Sequence, residues 1–313
     1  MTEDFIPSPS IDSHSMPMEV QIPLLESSSN VKDSNNTNTR KSSTKKTSFS
    51  SNDEKISDPL IILSSQNESK ISNMSNKLFA VNQLETLAFY QALFSEFIGT
   101  MLLVLICSSI GLSITSQSIP AMHGAITSGL TVATIIVGFG HTSGAHINPA
   151  VTITFLVACE IDFLRALCYI GMQLLGAICG SSLVRLIIPQ HAQGNLGMTI
   201  ITEGISISQA CMIEFIITFV LCYTVHAICD KRRDDIGGSK ALAVGLAVII
   251  GCLFGGPYTG GSMNPARSFG PATVMNSWQN HWVYWFGPLT GSIASAVVYT
   301  YILKHHQPHG HVQ

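Results

Sequence analysis

The sequence predicts an all-α membrane protein of six transmembrane helices and two re-entrant half-helices, arranged as an inverted repeat. Three observations carry this. The 313 residues are 46% hydrophobic and only 11% charged, where a soluble domain carries about 25% charged residues. Six apolar stretches reach the roughly 20 residues that a helix needs to cross the hydrocarbon core. The tripeptide Asn-Pro-Ala occurs twice, as Asn148, Pro149, Ala150 and as Asn264, Pro265, Ala266, each time opening an apolar run too short to cross.

In chain order, residues 1–85 read as a disordered cytoplasmic tail, rich in Ser, Asn, Thr and Lys with little to bury. No basic start precedes an apolar core there, so no signal peptide is expected. Arg40, Lys41, Lys45 and Lys46 could meet anionic lipid or respond to phosphorylation, though a solvated tail is the simpler reading. "EVQIPLLE" (Glu19 to Glu26) is one residue too long for an acidic dileucine sorting signal. Asn35, Asn67 and Asn73 open N-x-Ser/Thr sequons that matter only if the tail is lumenal.

Residues 86–304 form the membrane domain, with repeat one at 86–189 and repeat two at 206–304; residues 305–313 are a short cytoplasmic tail. Spans are expected at 88–114, 121–140, 164–188, 207–229, 240–256 and 281–303. The half-helices are expected at 149–158 and 265–275. Ten residues of helix rise about 15 Å, half of the ~30 Å core. Lys and Arg gather on one side: the tail lysines, Arg165, Lys231, Arg232, Arg233, Lys240 and Lys304. The positive-inside rule then places both termini in the cytoplasm, with Arg185 a minor exception.

The halves repeat. "EFIGT" (Glu96 to Thr100) echoes "EFIIT" (Glu214 to Thr218), and each glutamate precedes its Asn by a similar distance: 148 − 96 = 52 and 264 − 214 = 50. Three spans per half is an odd number, so the second half sits upside down relative to the first. In such folds the functional site lies near the midplane at the repeat interface.

Asn caps the free N–H groups of a helix start, and Pro at the first position loses nothing. Two half-helices entering from opposite faces bring both N-termini to the membrane centre. Non-helical backbone at that depth must be buried or line a wet cavity. The loops 144–147 and 260–263 would offer carbonyls there, and Asn148 and Asn264 side-chain donors. Two positive helix ends facing the passage oppose cations and protons. Arg267, in the first turn of the second half-helix, opposes the dipole and is costly in a membrane, so it reads as a fixed cation at an outer constriction. Glu96 and Glu214, inside apolar runs, are expected to accept hydrogen bonds from the two loops, with His146 bracing the first.

With these residues assembled, "SGAHINPAVT", "MNPARSFGPA", the paired glutamate motifs and "DKRRDDIGGSKALAVGL" resemble the major intrinsic protein family, the aquaporins, over about residues 88–303. The resemblance implies an aquaporin-like bundle with a pore in each subunit of a homotetramer. It implies no cofactor and no catalysis. Water-selective members carry Phe, His, Cys and Arg at the outer constriction; the matching positions here are Ser128, Cys252, Gly261 and Arg267. Only the arginine stays, so a wider filter is expected. Ser268, Ala272 and the pair Tyr284-Trp285 look like the water-channel branch.

The expected function is a passive channel for water and small uncharged solutes such as glycerol or urea, in a lipid bilayer, most simply the plasma membrane. The alternatives are a strictly water-selective aquaporin and a secondary transporter built on an inverted repeat, for which Glu96 and Glu214 are the only midplane carboxylates. No basic surplus argues for nucleic acid. The eight cysteines give neither a disulfide framework nor a zinc site and read mainly as packers. Cys252 is set apart as a filter position open to mercurials. "HHQPHGH" (His305 to His311) could sense pH or metal, but a plain tail is the simpler reading.

Overall fold

Four of the helices begin where a short polar side chain satisfies the first free backbone N–H groups. Thr86, Asp162, Ser206 and Ser239 accept hydrogen bonds from the N–H of Phe89 (3.3 Å), Arg165 (2.9 Å), Gln209 (3.3 Å) and Leu242 (3.2 Å). Gln209 returns a carboxamide oxygen to the Ser206 N–H, completing a capping box. These starts belong to α1 (Leu87–Ser109), α4 (Phe163–Ile187), α5 (Ile207–Cys229) and α6 (Lys240–Thr259). With α2 (Ala121–Ser143) and α8 (Val283–Ala296, continued as a π-type turn Val297–Leu303), they make six helices long and apolar enough to cross a membrane. The two remaining α-helices are short, α3 (Pro149–Val157) and α7 (Pro265–Met275).

This computed structural model describes residues 80–112, 120–233, 235 and 237–303. The tail cations Arg40 to Lys46, the dileucine-like stretch, the three sequons, Lys304 and the histidine-rich C-terminus lie outside them.

Three span ends differ from the sequence reading by three residues or more. The first span stops at Ser109 rather than 114, because a turn at Ile110-Gly111 closes it and the Leu112 N–H returns to the Ser109 carbonyl at 3.1 Å. The second and fifth spans run three residues further, to Ser143 and Thr259. Each then ends at a left-handed glycine, Gly144 (φ 90°) and Gly260 (φ 83°), whose N–H bonds back to Gly140 or Gly256. The tail also ends earlier than residue 85. Val81–Glu85 is a 3-10 turn, held because the Gln83 carboxamide donates to Asp162 (2.9 Å) and accepts from Arg165 Nε (2.9 Å).

The repeat is visible in the packing. Helix α1 packs on α4, as α5 packs on α8, and α2 crosses α6 between the halves. Small residues allow these approaches. Gly176 and Gly180 of α4 face the carbonyls of Phe97 and Met101, and Gly291 of α8 faces that of Phe215. Gly129 and Gly245 meet each other, and a Cβ on either would fall on the other's carbonyl. Gly129→Val is therefore expected to abolish detergent-stable protein. Gly138→Val, which meets nothing within 4 Å, is expected to melt like the parent; size-exclusion profiles and thermal melts check both.

Each half-helix nests in the opposite repeat: α3 packs on α8, and α7 on α4. Thr154 of α3 donates to the Ser292 carbonyl (3.0 Å) and meets His226 Nε2 (2.9 Å). At the end of α5, Asp230 accepts from Tyr299 Oη (3.0 Å) and from Arg232. The guanidinium of Arg232 holds this carboxyl well below the usual carboxylate range. Its contribution to stability is thus complete above about pH 4 and declines only in more acidic solution.

Candidate functional site

The two half-helices begin as the Asn-Pro pairs dictate. Asn148 Oδ1 accepts from the Ala150 N–H (2.8 Å); Asn264 Oδ1 accepts from those of Ala266 (3.0 Å) and Arg267 (3.2 Å). Pro149 and Pro265 occupy the first helical position. The same side chains also join the halves. Asn148 Nδ2 donates to the Met263 carbonyl (2.8 Å), and Asn264 Nδ2 donates to the Ile147 carbonyl (2.9 Å). The helix starts therefore abut and point in opposite directions. A carboxamide nitrogen has two hydrogens, so each Asn keeps one donor for the cavity that both line.

The loops preceding the caps share one backbone pattern. Positive φ occurs at Gly144, Ala145 and Ile147, and again at Gly260, Gly261 and Met263. A β-branched residue such as Ile147 at positive φ is strained, so something must hold it. Glu96 does: one carboxylate oxygen accepts from the His146 N–H (2.9 Å), the other from that of Ile147 (2.7 Å). Ser143 Oγ and Gln173 Nε2 complete its shell at 2.7 and 2.8 Å. Glu214 does the same for the N–H groups of Ser262 and Met263, both at 2.9 Å, with Thr259 Oγ1 at 2.6 Å. Both glutamates are fully buried and stand behind the loops rather than on the cavity wall.

A second pair of supports was not anticipated. Tyr169 Oη donates to the Ser143 carbonyl and Tyr284 Oη to that of Thr259, each at 2.9 Å. Ser143 and Thr259 hold the same place before their Asn, 148 − 143 = 5 and 264 − 259 = 5, so aligning the repeats would have found them. His146 stacks on Phe155, with ring centroids 4.6 Å apart, and its Nδ1 lies 3.3 Å from Thr152 Oγ1. In the second loop Ser262 takes the place of the imidazole, its hydroxyl 2.6 Å from Ser268.

One cavity of about 160 Å3 passes the two caps. A water needs about 10–15 Å3 of such space, so several fit in file. At one end the wall includes Lys240, Cys229 and Ile228; at the other it includes Ser128, Cys252, Gly261 and Arg267. The carbonyls of Gly144, Ala145, His146, Gly261 and Ser262 belong to wall residues and accept no hydrogen bond among the described residues. Those of Ile147 and Met263, expected to serve the passage, are occupied by the opposite Asn. Arg267 is fixed by donation from Nη1 to the Gly197 carbonyl (2.7 Å). Gly197 (φ 65°) lies against the Ser108 backbone, where a Cβ would come within 2.6 Å. Cys107, read from the sequence as a packer, does pack against Leu103, Ile135 and Ile147 and also lines this end, its thiol 3.7 Å from Ser128 Oγ.

Six membrane-length helices around two half-helices that meet cap to cap beside one shared cavity define a transmembrane channel built from an inverted repeat. The Major intrinsic protein family model matches residues 83–299. Aquaporin-4 of Homo sapiens is 41% identical over 231 residues, 72% of each chain. The lens fiber major intrinsic protein of Canis lupus familiaris is 41% identical over 223 residues, covering 71% of this chain and 84% of that one. The X-ray structure of the aquaglyceroporin from Plasmodium falciparum superposes with a TM-score of 0.63 at 24% identity, over 69% of this chain and 97% of that one; this likeness concerns the fold alone. The chain belongs to the major intrinsic protein family, the aquaporin channels, and is a multi-pass channel protein rather than an enzyme.

Proposed function

We propose that this channel conducts water and small uncharged solutes such as glycerol or urea while excluding protons and ions. The observation that carries the reading is the composition of the wall beside Arg267. Ser128, Cys252 and Gly261 contribute one hydroxyl, one thiol and no side chain, leaving more width than an aromatic ring and an imidazole would. The Ser128 hydroxyl and the guanidinium hydrogens of Arg267 not used by Gly197 can replace a solute's hydroxyl or amide partners in water. Free loop carbonyls and the spare Asn148 and Asn264 hydrogens continue that exchange along the passage. The abutting positive helix ends and Arg267 oppose cations and protons; aquaporin-type pores are themselves the standard example of such a barrier. Glu96 and Glu214 are committed to backbone N–H groups, which argues for passive conduction over ion-coupled transport.

In this reading the protein sits in the plasma membrane, and the Lys and Arg distribution supports both termini facing the cytoplasm. Four copies assemble through apolar faces that a single chain leaves exposed, such as Leu87, Tyr90 and Phe94 on α1. Stopped-flow permeability of proteoliposomes to water, glycerol and urea on one preparation tests the solutes. All three are expected to exceed empty liposomes. Water flux with glycerol and urea at the empty-liposome rate would reduce the protein to a strictly water-selective channel.

A further inference from the structure

We propose that a second cavity, beside α7 and apart from the passage, binds a small neutral polyol. It measures about 180 Å3 and lies between the connection 198–201, Ser268 of α7 and the turn 277–281. It shares no wall residue with the passage. Its walls are polar but uncharged: none of the residues forming it is Lys, Arg, Asp or Glu. His281 is neutral as well. Its Nε2 accepts from Trp285 Nε1 (3.2 Å), and an indole nitrogen only donates, so the imidazole hydrogen sits on Nδ1. An ion placed here would lose water and meet no opposite charge. No residue of 198–201 has positive φ, so the backbone does not form the nest that gathers N–H groups on an anion.

Hydrogen-bonding groups without protein partners surround this space. The connection is tied at both ends: the Gly197 carbonyl accepts from Arg267, and the Thr202 N–H donates to the Tyr258 carbonyl (2.9 Å). Between those ties the N–H groups of Thr199, Ile200 and Ile201 donate to no protein atom among the described residues. Across the cavity, the side chains of Ser277, Gln279 and Asn280 make no hydrogen bond among them either. Thr199 Oγ1 gives its hydrogen to Ser268 (2.7 Å) and keeps its lone pairs. Donors and acceptors interleaved in this way match a run of hydroxyls, each of which does both. At 10–15 Å3 for each water-sized group, the space takes about a dozen, the size of a six-carbon polyol. Bound there, the polyol bridges 198–201 to the turn 277–281. Gly197, whose carbonyl holds Arg267, adjoins the bridged connection, so occupancy steadies the anchor of that cation.

The chain carries its own reporter. Its three tryptophans, Trp278, Trp282 and Trp285, all lie within four residues of His281, and none lines the passage. Trp278 meets the His281 ring edge to face, with centroids 5.1 Å apart, and Trp285 bonds it. Titrating purified full-length protein with mannitol is expected to change tryptophan emission saturably, half-maximal at millimolar concentration. Gluconate, of the same length but charged, is expected to give no saturable change. Joining Ser277→Ala with Gln279→Ala, both exposed, is expected to raise the half-maximal mannitol concentration about tenfold and leave the thermal melt unchanged. Hydrogen exchange within 199–201 is expected to slow about threefold or more at saturation. A linear response, an equal response to gluconate, or an unshifted half-point in the double variant would overturn the site. Saturable emission with unchanged exchange would overturn the bridge. Neither readout involves flux, so the outcome stands apart from the conduction reading.

Discussion

Glu96→Gln is expected to leave the protein poorly folded and without measurable conduction. Each oxygen of the Glu96 carboxylate accepts one backbone N–H from a loop held at positive φ. An amide keeps one acceptor and turns two hydrogens toward the other N–H and toward Gln173. A buried donor left without a partner costs about 1–3 kcal/mol, and the change sets donor against donor as well. That is a large share of the 5–15 kcal/mol by which a typical domain is stable. Glu214→Gln should behave alike, because Ser262 and Met263 present the same pair of N–H groups. Thermal melts in detergent and flux per inserted channel measure both. A Gln variant that melts and conducts like the parent would show that the loops hold their shape without the carboxylates.

Joining Ser128→Phe with Cys252→His is expected to cut glycerol and urea permeability at least tenfold while changing water permeability much less. The two positions face the same cavity end as Arg267. A phenyl ring at 128 removes the hydroxyl and fills the space beside it; an imidazole at 252 adds bulk and a polar edge. Each single variant should give an intermediate loss, and the pair should exceed the sum, because neighbouring residues that share one space are not additive. Equal proportional loss for water and solutes would mean that the substitutions block the passage rather than sieve it.

The legibility of this chain differs sharply between its backbone and its wall. The helices could be read because a membrane imposes a length: runs of about 20 apolar residues span, and runs of ten do not. The Asn-Pro starts could be read because capping is local chemistry. The two glutamates stood out because a carboxylate in an apolar run needs a partner. Other features have no local signature. The donations from Asn148 to Met263 and from Asn264 to Ile147 join residues 115 and 117 apart, and they take up carbonyls that the sequence reading left open for permeants. That Cys107, besides packing in the core, also borders the passage had no signature, because α1 is predominantly apolar and periodicity does not mark the side that faces the passage. Gly197 was missed because only the approach of its connection to Ser108 explains it. The turn at Val81–Glu85 was missed because its anchor, Gln83, is an ordinary polar residue until Asp162 and Arg165 are placed beside it.

A density map of the reconstituted channel fine enough to place water tests the central arrangement most directly. The account predicts the Asn148 and Asn264 side chains bonded across to the opposite loops, with ordered water about 3 Å from each Nδ2 and continuing toward Arg267. A dry gap at the caps, or two half-helix starts separated by other side chains, would contradict it.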